Sequence, residues 1–425
     1  FLYMTNTRKK PSGFADLGIS PTILKQLQKL NFNTPTPIQA QAIPIAITGQ
    51  DLMGIAQTGT GKTIAFGIPM IQSLYANKGT GLVLLPTREL AAQVDQSLKN
   101  LGSAFGLRTA ILIGGTPLPP QTRALNARPH VIIATPGRLI DHLQRKRSIL
   151  NNVKVFVLDE ADRMLDMGFE PDIKRILSTI PAGKRQTMLF SATMPPKITN
   201  LARNYMRSPL RVEVAPAGTT AKDITQEVFI VPRDKKLSLL DQLLSEYKER
   251  VLVFSRTKHG AKKITRVINS LGHKAAEIHS NRSLTQRTKA LKDFKSGFTR
   301  VLVATDIASR GIDVKDIELV INYDLPDQAD DYVHRIGRTG RAGKKGKAVS
   351  FVAPDQKRDI IAIERLVRIK LPIKPLPAMK ARIIVPKEAP KRNFANQGGG
   401  RPPRQKNSNR TRRSQAFRRR RKKSI

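Results

Sequence analysis

Ala56–Thr63 reads AQTGTGKT, and Val153–Asp162 reads VKVFVLDEAD. In the first stretch a short apolar run gives way to glycines and a Lys-Thr pair just before a helical pattern, IAFGIPMIQSL. In the second, a mostly apolar run ends in two adjacent carboxylates. A glycine-rich turn between strand and helix lets successive N–H groups and the helix N-terminus face phosphate oxygens. An acidic pair after a buried strand lies where open α/β sheets present their chemistry. Outward from these stretches, DLMGIA, GLVLLPT, TAILIGG, HVIIATPG, VKVFVLDE, QTMLFSAT and LRVEV follow one another from Asp51 to about Val214. Between them lie segments such as RELAAQVDQSLKNLG, with apolar residues three and four apart. Near-continuous apolar strands alternating with amphipathic helices predict a parallel sheet covered on both faces.

The stretch APAGTTAK (215–222) is small and polar and reads as a linker. Beyond it the alternation resumes with EVFIV, RVLVFS, AAEIHS, RVLVATD, LVINYDLP and AVSFVAP. The expected fold class is α/β, with one parallel-sheet domain in 1–214, a linker in 215–222 and a second domain in 223–375. Residues 376–425, rich in Gly, Pro, Asn, Ser and Arg, are expected to be a disordered basic tail.

The chain holds 75 Lys and Arg against 32 Asp and Glu, a formal charge of +43. Residues 381–425 carry 16 of the basic residues and one acid, so the remainder is still strongly basic. The expected partner is a polyanion, and nucleic acid is favoured over a membrane because no basic amphipathic helix with a bulky aromatic face stands out. With no Cys, disulfides and thiolate metal sites are excluded. FLYMTNTRKK has too short an apolar run for a signal peptide, and no stretch approaches a membrane span, so a soluble cytoplasmic protein is expected.

In the cradle, Thr58, Gly59, Thr60 and Gly61 would wrap the phosphates, Lys62 would reach the β and γ groups, and the Thr63 hydroxyl would ligate Mg²⁺. The strict pattern wants glycine where this chain has Ala56. Asp159 would hold Mg²⁺, through water, and Glu160 would orient and help deprotonate the attacking water. By itself, an acidic pair after a strand is also a common helix cap.

With DEAD at 159–162 the chain resembles the DEAD-box RNA helicases, and further motifs follow in order. They are PTPIQ (35–39), PTREL (86–90), Gly114-Gly115, TPGR (135–138), SAT (191–193), VFSRT (253–257), ATDIASRGID (304–313) and HRIGRTGR (334–341). The resemblance covers about residues 14–370 and implies two tandem RecA-like domains that hydrolyse ATP, with RNA as stimulator. It implies Gln39 as adenine reader, Phe32 as the ring stacked on the base, and Phe14 at the isolated upstream aromatic position; either Phe could instead be core. Guanine would present an acceptor where adenine presents a donor, and no NKxD pattern is present, so ATP is expected rather than GTP.

From the second domain, Arg338 and Arg341 resemble arginine fingers, and Gly311 and Asp313 match positions near the nucleotide. His334 and Arg335 resemble residues linking this loop to the acidic motif. Ser191 and Thr193 resemble hydroxyls that bond Asp162 and couple the ATP site to RNA; helix capping is the other reading.

Aromatics are 5% of the chain and Trp is absent, so backbone contact is expected over base stacking. The RNA-facing positions implied are Pro86, Thr87, Arg88, Gly114, Gly115, Thr135, Pro136, Gly137 and Arg138 in the first domain. In the second they are Arg256, Thr257, Arg287, Thr305 and Asp306. Closure on ATP and RNA would bend one strand and release its partner, separating short duplexes without sequence preference. An ATP-gated clamp or annealing factor is the alternative, and a DNA helicase a third. Leu284 stands where the family has Gln, Ser280 where Gly is common, and Asn31 where Gly is usual. The compact core with a basic tail resembles the bacterial RhlE-type subgroup. A monomeric core and partners in ribosome assembly or RNA decay are expected.

Overall fold

The structure, a computed structural model, describes residues 13–378 apart from Thr58, Ala182, Lys184, 215–223, 307–313, 315–316, 341–345 and Arg368. The linker and most of the basic tail therefore lie outside the described residues.

The first lobe's strands are β1 (Leu52–Ile55), β2 (Thr80–Leu84), β3 (Thr109–Leu112), β4 (Val131–Ala134), β5 (Val153–Leu158), β6 (Gln186–Ser191) and β7 (Leu210–Glu213). They form a parallel sheet in the order β3-β4-β2-β5-β6-β1-β7. The second lobe's strands are β8 (Ile224–Ile230), β9 (Arg250–Phe254), β10 (Ala275–Ile278), β11 (Val301–Ala304), β12 (Ile317–Asn322), β13 (Gly346–Val352) and β14 (Ile373–Lys374). Their order, β10-β11-β9-β12-β13-β8-β14, repeats that of the first sheet strand for strand, again parallel. Two RecA-like α/β lobes are thus built to one plan.

Burial on both faces explains the apolar runs. Along β5, Val155 and Val157 join one hydrophobic cluster of the first lobe, while Phe156 and Leu158 join the cluster on the opposite face. Both alternating sets of residues are thus inside, and the strand needs no polar side. No helix among the described residues is long and apolar enough to cross a membrane.

Strand order also sorts the motifs. AQTGTGKT follows β1, DEAD follows β5 and SAT ends β6, and β6 lies between the other two. PTREL, the glycine pair and TPGR follow β2, β3 and β4, which form the other half of the sheet.

Candidate active site and nucleic-acid interface

Three adjacent strand ends place Lys62, Asp159, Glu160 and Asp162 together. Lys62 opens the helix Lys62–Asn77 and is 5% exposed. Its Nζ lies 3.0 Å from Glu160 Oε1 and 3.7 Å from Asp159 Oδ1. Burial by itself would lower the Lys62 pKa, but the carboxylates of Glu160, Asp159 and Asp162 outweigh it and hold the ammonium above its ordinary value. Burial pushes the Asp159 carboxyl up to about 6 despite the nearby Lys62. Glu160 is just as deeply buried, yet Arg163, Lys62 and Arg338 hold it well below the usual carboxylate value. Neighbouring cations thus favour the charged form of Glu160, whereas for Asp159 burial outweighs them.

The cradle is shaped by backbone. Gly59 and Gly61 have φ of +88° and +92°. A Cβ on Gly61 would stand 2.3 Å from Gln39 Nε2, which donates to the Gly61 carbonyl at 3.1 Å. Gln39 Oε1 accepts from Thr36 N at 2.9 Å, closing a capping box on the helix Pro37–Ile47. The expected adenine reader is therefore a strut between that helix and the phosphate turn. Thr60 Oγ1 donates to the Gln57 carbonyl at 2.7 Å, and Thr63 lies one residue into the helix that Lys62 opens. Phe32 is 40% exposed, whereas Phe14 is 5% exposed within the first lobe's core. Of the two readings of Phe14, the structure supports packing.

Among the described residues no cluster of three or more His, Asp or Glu forms a metal cage. The oxygen donors of Asp159 and Thr63 nevertheless suit Mg²⁺, which takes one or two carboxylates and completes its shell with waters and substrate phosphates. The raised Asp159 pKa fits a carboxylate that a cation would compensate.

Asp162 ties β5 to β6. Its Oδ2 accepts from Ala192 N at 3.0 Å, Thr193 N at 2.9 Å and Thr193 Oγ1 at 3.0 Å, while its own amide donates to Ser191 Oγ at 3.3 Å. Both SAT hydroxyls thus meet the acidic motif.

The second lobe comes up against Gln57 and the turn after β6. His334, Gly337 and Arg338 line one small cavity with Gln57, Ala192 and Thr193. Arg338 is 3% exposed, donates to the His334 carbonyl at 3.1 Å, and contributes to the charge felt by Glu160. Arg341, Gly311, Asp313 and Thr58 lie outside the described residues.

Several expected positions fall elsewhere. Arg335 does not reach the acidic motif. It is buried in the second lobe, bonded to Asp306 through Nε (2.5 Å) and Nη2 (2.6 Å) and to Asn322 and the Asp324 carbonyl, and it lies over the Phe254 ring. A buried guanidinium needs those acceptors, so the Asp306 carboxylate, expected to face RNA, is committed to Arg335. Arg287 is likewise buried: its Nη2 pairs with Glu89 Oε2 at 2.7 Å, with side chains 10% and 3% exposed. It bridges the lobes. Leu284, on the same helical turn, packs against the first lobe's core cluster.

The remaining RNA-face residues sit at strand-to-helix turns. Thr87 and Thr257 cap helices, accepting from Leu90 N and Gly260 N. Pro86 is buried before Thr87, and Thr305 N bonds the Ile278 carbonyl. Thr135, Pro136 and Gly137 open the helix Pro136–Arg145, and a Cβ on Gly137 would meet nothing within 4 Å. Arg138 Nη1 donates to the Thr116 carbonyl at 2.9 Å. Arg88 lies against Gly114 and Gly115, where a Cβ on Gly115 would fall 2.0 Å from Arg88 Nη1. Arg256 is paired with Asp327 at 3.2 Å and bonded to the Leu325 carbonyl. Sequence reasoning missed Glu89, Gln57 and Arg163. The signal for Arg163 was its i+3 spacing from Glu160, which reads equally well as a solvated helix pair.

Two RecA-like lobes, the first carrying a phosphate cradle and an acidic pair at neighbouring strand ends, define a two-lobe P-loop nucleotide hydrolase. The DEAD/DEAH box helicase family model matches residues 36–201, and that of the helicase conserved C-terminal domain matches 235–343. The ATP-dependent rRNA helicase RRP3 of Yarrowia lipolytica is 44% identical over 367 residues, which is 85% of this chain and 76% of that protein. Dbp5 of S. cerevisiae, solved bound to RNA and ADP BeF3, is 29% identical with a TM-score of 0.76 over 86% of this chain and 96% of that one. Mss116p, solved bound to ssRNA and AMP-PNP, is 27% identical with a TM-score of 0.81 over 89% and 82%. The chain belongs to the DEAD-box family of ATP-dependent RNA helicases.

Proposed function

We propose that this helicase hydrolyses ATP at a centre divided between its lobes and uses lobe closure to bend one RNA strand, so that short duplexes come apart without sequence preference. The observation that carries this reading is Arg338, which belongs to the second lobe yet lines a cavity with Gln57 and Thr193 of the first, and whose charge helps to lower the Glu160 pKa. In this scheme Lys62 and the turn N–H groups bind the phosphates, Glu160 orients the attacking water, and Arg338 stabilises charge on the transferred group. Mg²⁺, held by Asp159 and Thr63, would neutralise phosphate charge when bound. Asp162, through Ser191 and Thr193, would tell the RNA face that the nucleotide site is filled. The resemblance to rRNA helicases supports structured ribosomal RNA, and hence ribosome assembly, as the setting. The finer placement in a bacterial RhlE-type subgroup draws no support from the fungal relative.

Phosphate release from the full chain with and without RNA tests the scheme. Lys62→Ala and Glu160→Gln should each abolish the RNA-stimulated rate, and full turnover in both would refute it. A second reading, strand annealing, is favoured by the 16 Lys and Arg in residues 381–425. If deleting them removes annealing and spares unwinding per bound complex, the tail owns that activity.

A further inference from the structure

Arg163 follows the acidic segment on the short helix Ala161–Asp166, where an arginine would ordinarily extend its head group to water. Here the side chain is 1% exposed, among the largest fully buried ones in the protein. Its Nε lies 2.9 Å from Glu160 Oε2, while Glu160 Oε1 receives Lys62 Nζ at 3.0 Å. The Nε–Oε2 contact is an ion pair without hydrogen-bond geometry, and none of the three guanidinium nitrogens has a hydrogen-bond partner among the described residues. Glu160 itself sits at φ +58°, a left-handed conformation costly for a side chain with a Cβ, and its amide donates to Asp159 Oδ1 at 2.9 Å. Such strain persists where the surroundings over-determine it.

The two Glu160 oxygens therefore differ in what holds them. Oε1 is held by the lysine that a triphosphate would draw toward its own oxygens, and Oε2 is paired with a guanidinium buried from solvent. We propose that Arg163 is a positioning residue for hydrolysis, anchoring Oε2 so that Oε1, freed when Lys62 turns to the phosphates, is the oxygen presented to the attacking water. Because Arg163 is buried against Glu160, it would act through that carboxylate, and the inference rests on reading Glu160 as the water-orienting group.

The test uses the full chain with saturating RNA and measures kcat and KM for ATP, with single-turnover phosphate release for the slow variants. Arg163→Met and Arg163→Lys are made alone and combined with Glu160→Gln. Arg163→Met should lower kcat by ~10²-fold, within the range that a positioned acid–base group supplies. KM should stay within about threefold, since ground-state binding is untouched. Arg163→Lys should recover part of the rate, because an ammonium can still pair with Oε2. Added to Glu160→Gln, Arg163→Met should cost less than about threefold more, there being no carboxylate left to hold. A kcat near the parent's, or the same loss in both backgrounds, would overturn the proposal. Should Arg163→Met fail to fold, the same cycle with Arg163→Lys decides by the same criterion. Undiminished turnover in Glu160→Gln alone would instead remove the reading of Glu160 itself.

Discussion

Gly61 shows how much of the nucleotide site is set by one absent Cβ. Its φ of +92° and the 2.3 Å approach of Gln39 Nε2 leave no room for a side chain. An L-residue held left-handed costs ~1–2 kcal/mol, and Gln39 would also have to leave its place. Gly61→Ala should therefore raise KM for ATP at least tenfold, a shift of about 1.4 kcal/mol, in steady-state assays. An unchanged KM would mean that the turn is not held as described. At this scale the sequence was a good guide to which motif residues the fold brings together, as for Lys62 with Glu160 and Asp162 with the SAT turn. It misled for Arg287, Arg335 and Asp306, because whether a charged side chain faces solvent or a buried partner depends on what the fold brings opposite it. Glu89 lies about two hundred residues from Arg287, and nothing local announces the pair.

The strand-to-helix turns were legible because a buried parallel strand demands a continuous apolar run and the turn after it demands glycine, threonine or proline. Sheet order was not legible: nothing in VKVFVL or QTMLFS says that β6 lies between β1 and β5. That neighbourhood is what lets Asp162 bond the SAT turn, and it carries a stability cost that can be measured. Asp162→Ala removes four acceptor bonds from a residue 2% exposed and should destabilise the chain by about 3 kcal/mol or more in denaturant unfolding. Thr193→Val, which loses a single donor, should cost about 1 kcal/mol while reducing the stimulation of hydrolysis by RNA. If Thr193→Val lowered stability and left stimulation intact, the SAT turn would be a structural tie alone.

Contacts between the lobes include the Arg287–Glu89 pair, Leu284 on the first lobe's core, and Gly337 with Arg338 against Gln57 and Thr193. Leu284 marks where sequence and structure complement each other, since the side chain that departs from the family's Gln gives the second lobe an apolar foothold on the first. Truncating either contact should shift the lobes toward an open arrangement without disturbing the lobes themselves. Arg287→Ala strands a buried carboxylate and should weaken closure by ~10²-fold or more, and Leu284→Ala by roughly tenfold, in interlobe energy transfer with a non-hydrolysable nucleotide and RNA. Equal closure in parent and variants would show that these contacts do not hold the lobes together. In the proposed reaction the second lobe completes the chemistry of the first. Its most direct test is phosphate release by Arg338→Ala at saturating ATP and RNA. A fall of ~10³-fold or more with RNA binding retained is expected from the loss of an inserted arginine. A rate within a few-fold of the parent would contradict a centre shared between the lobes.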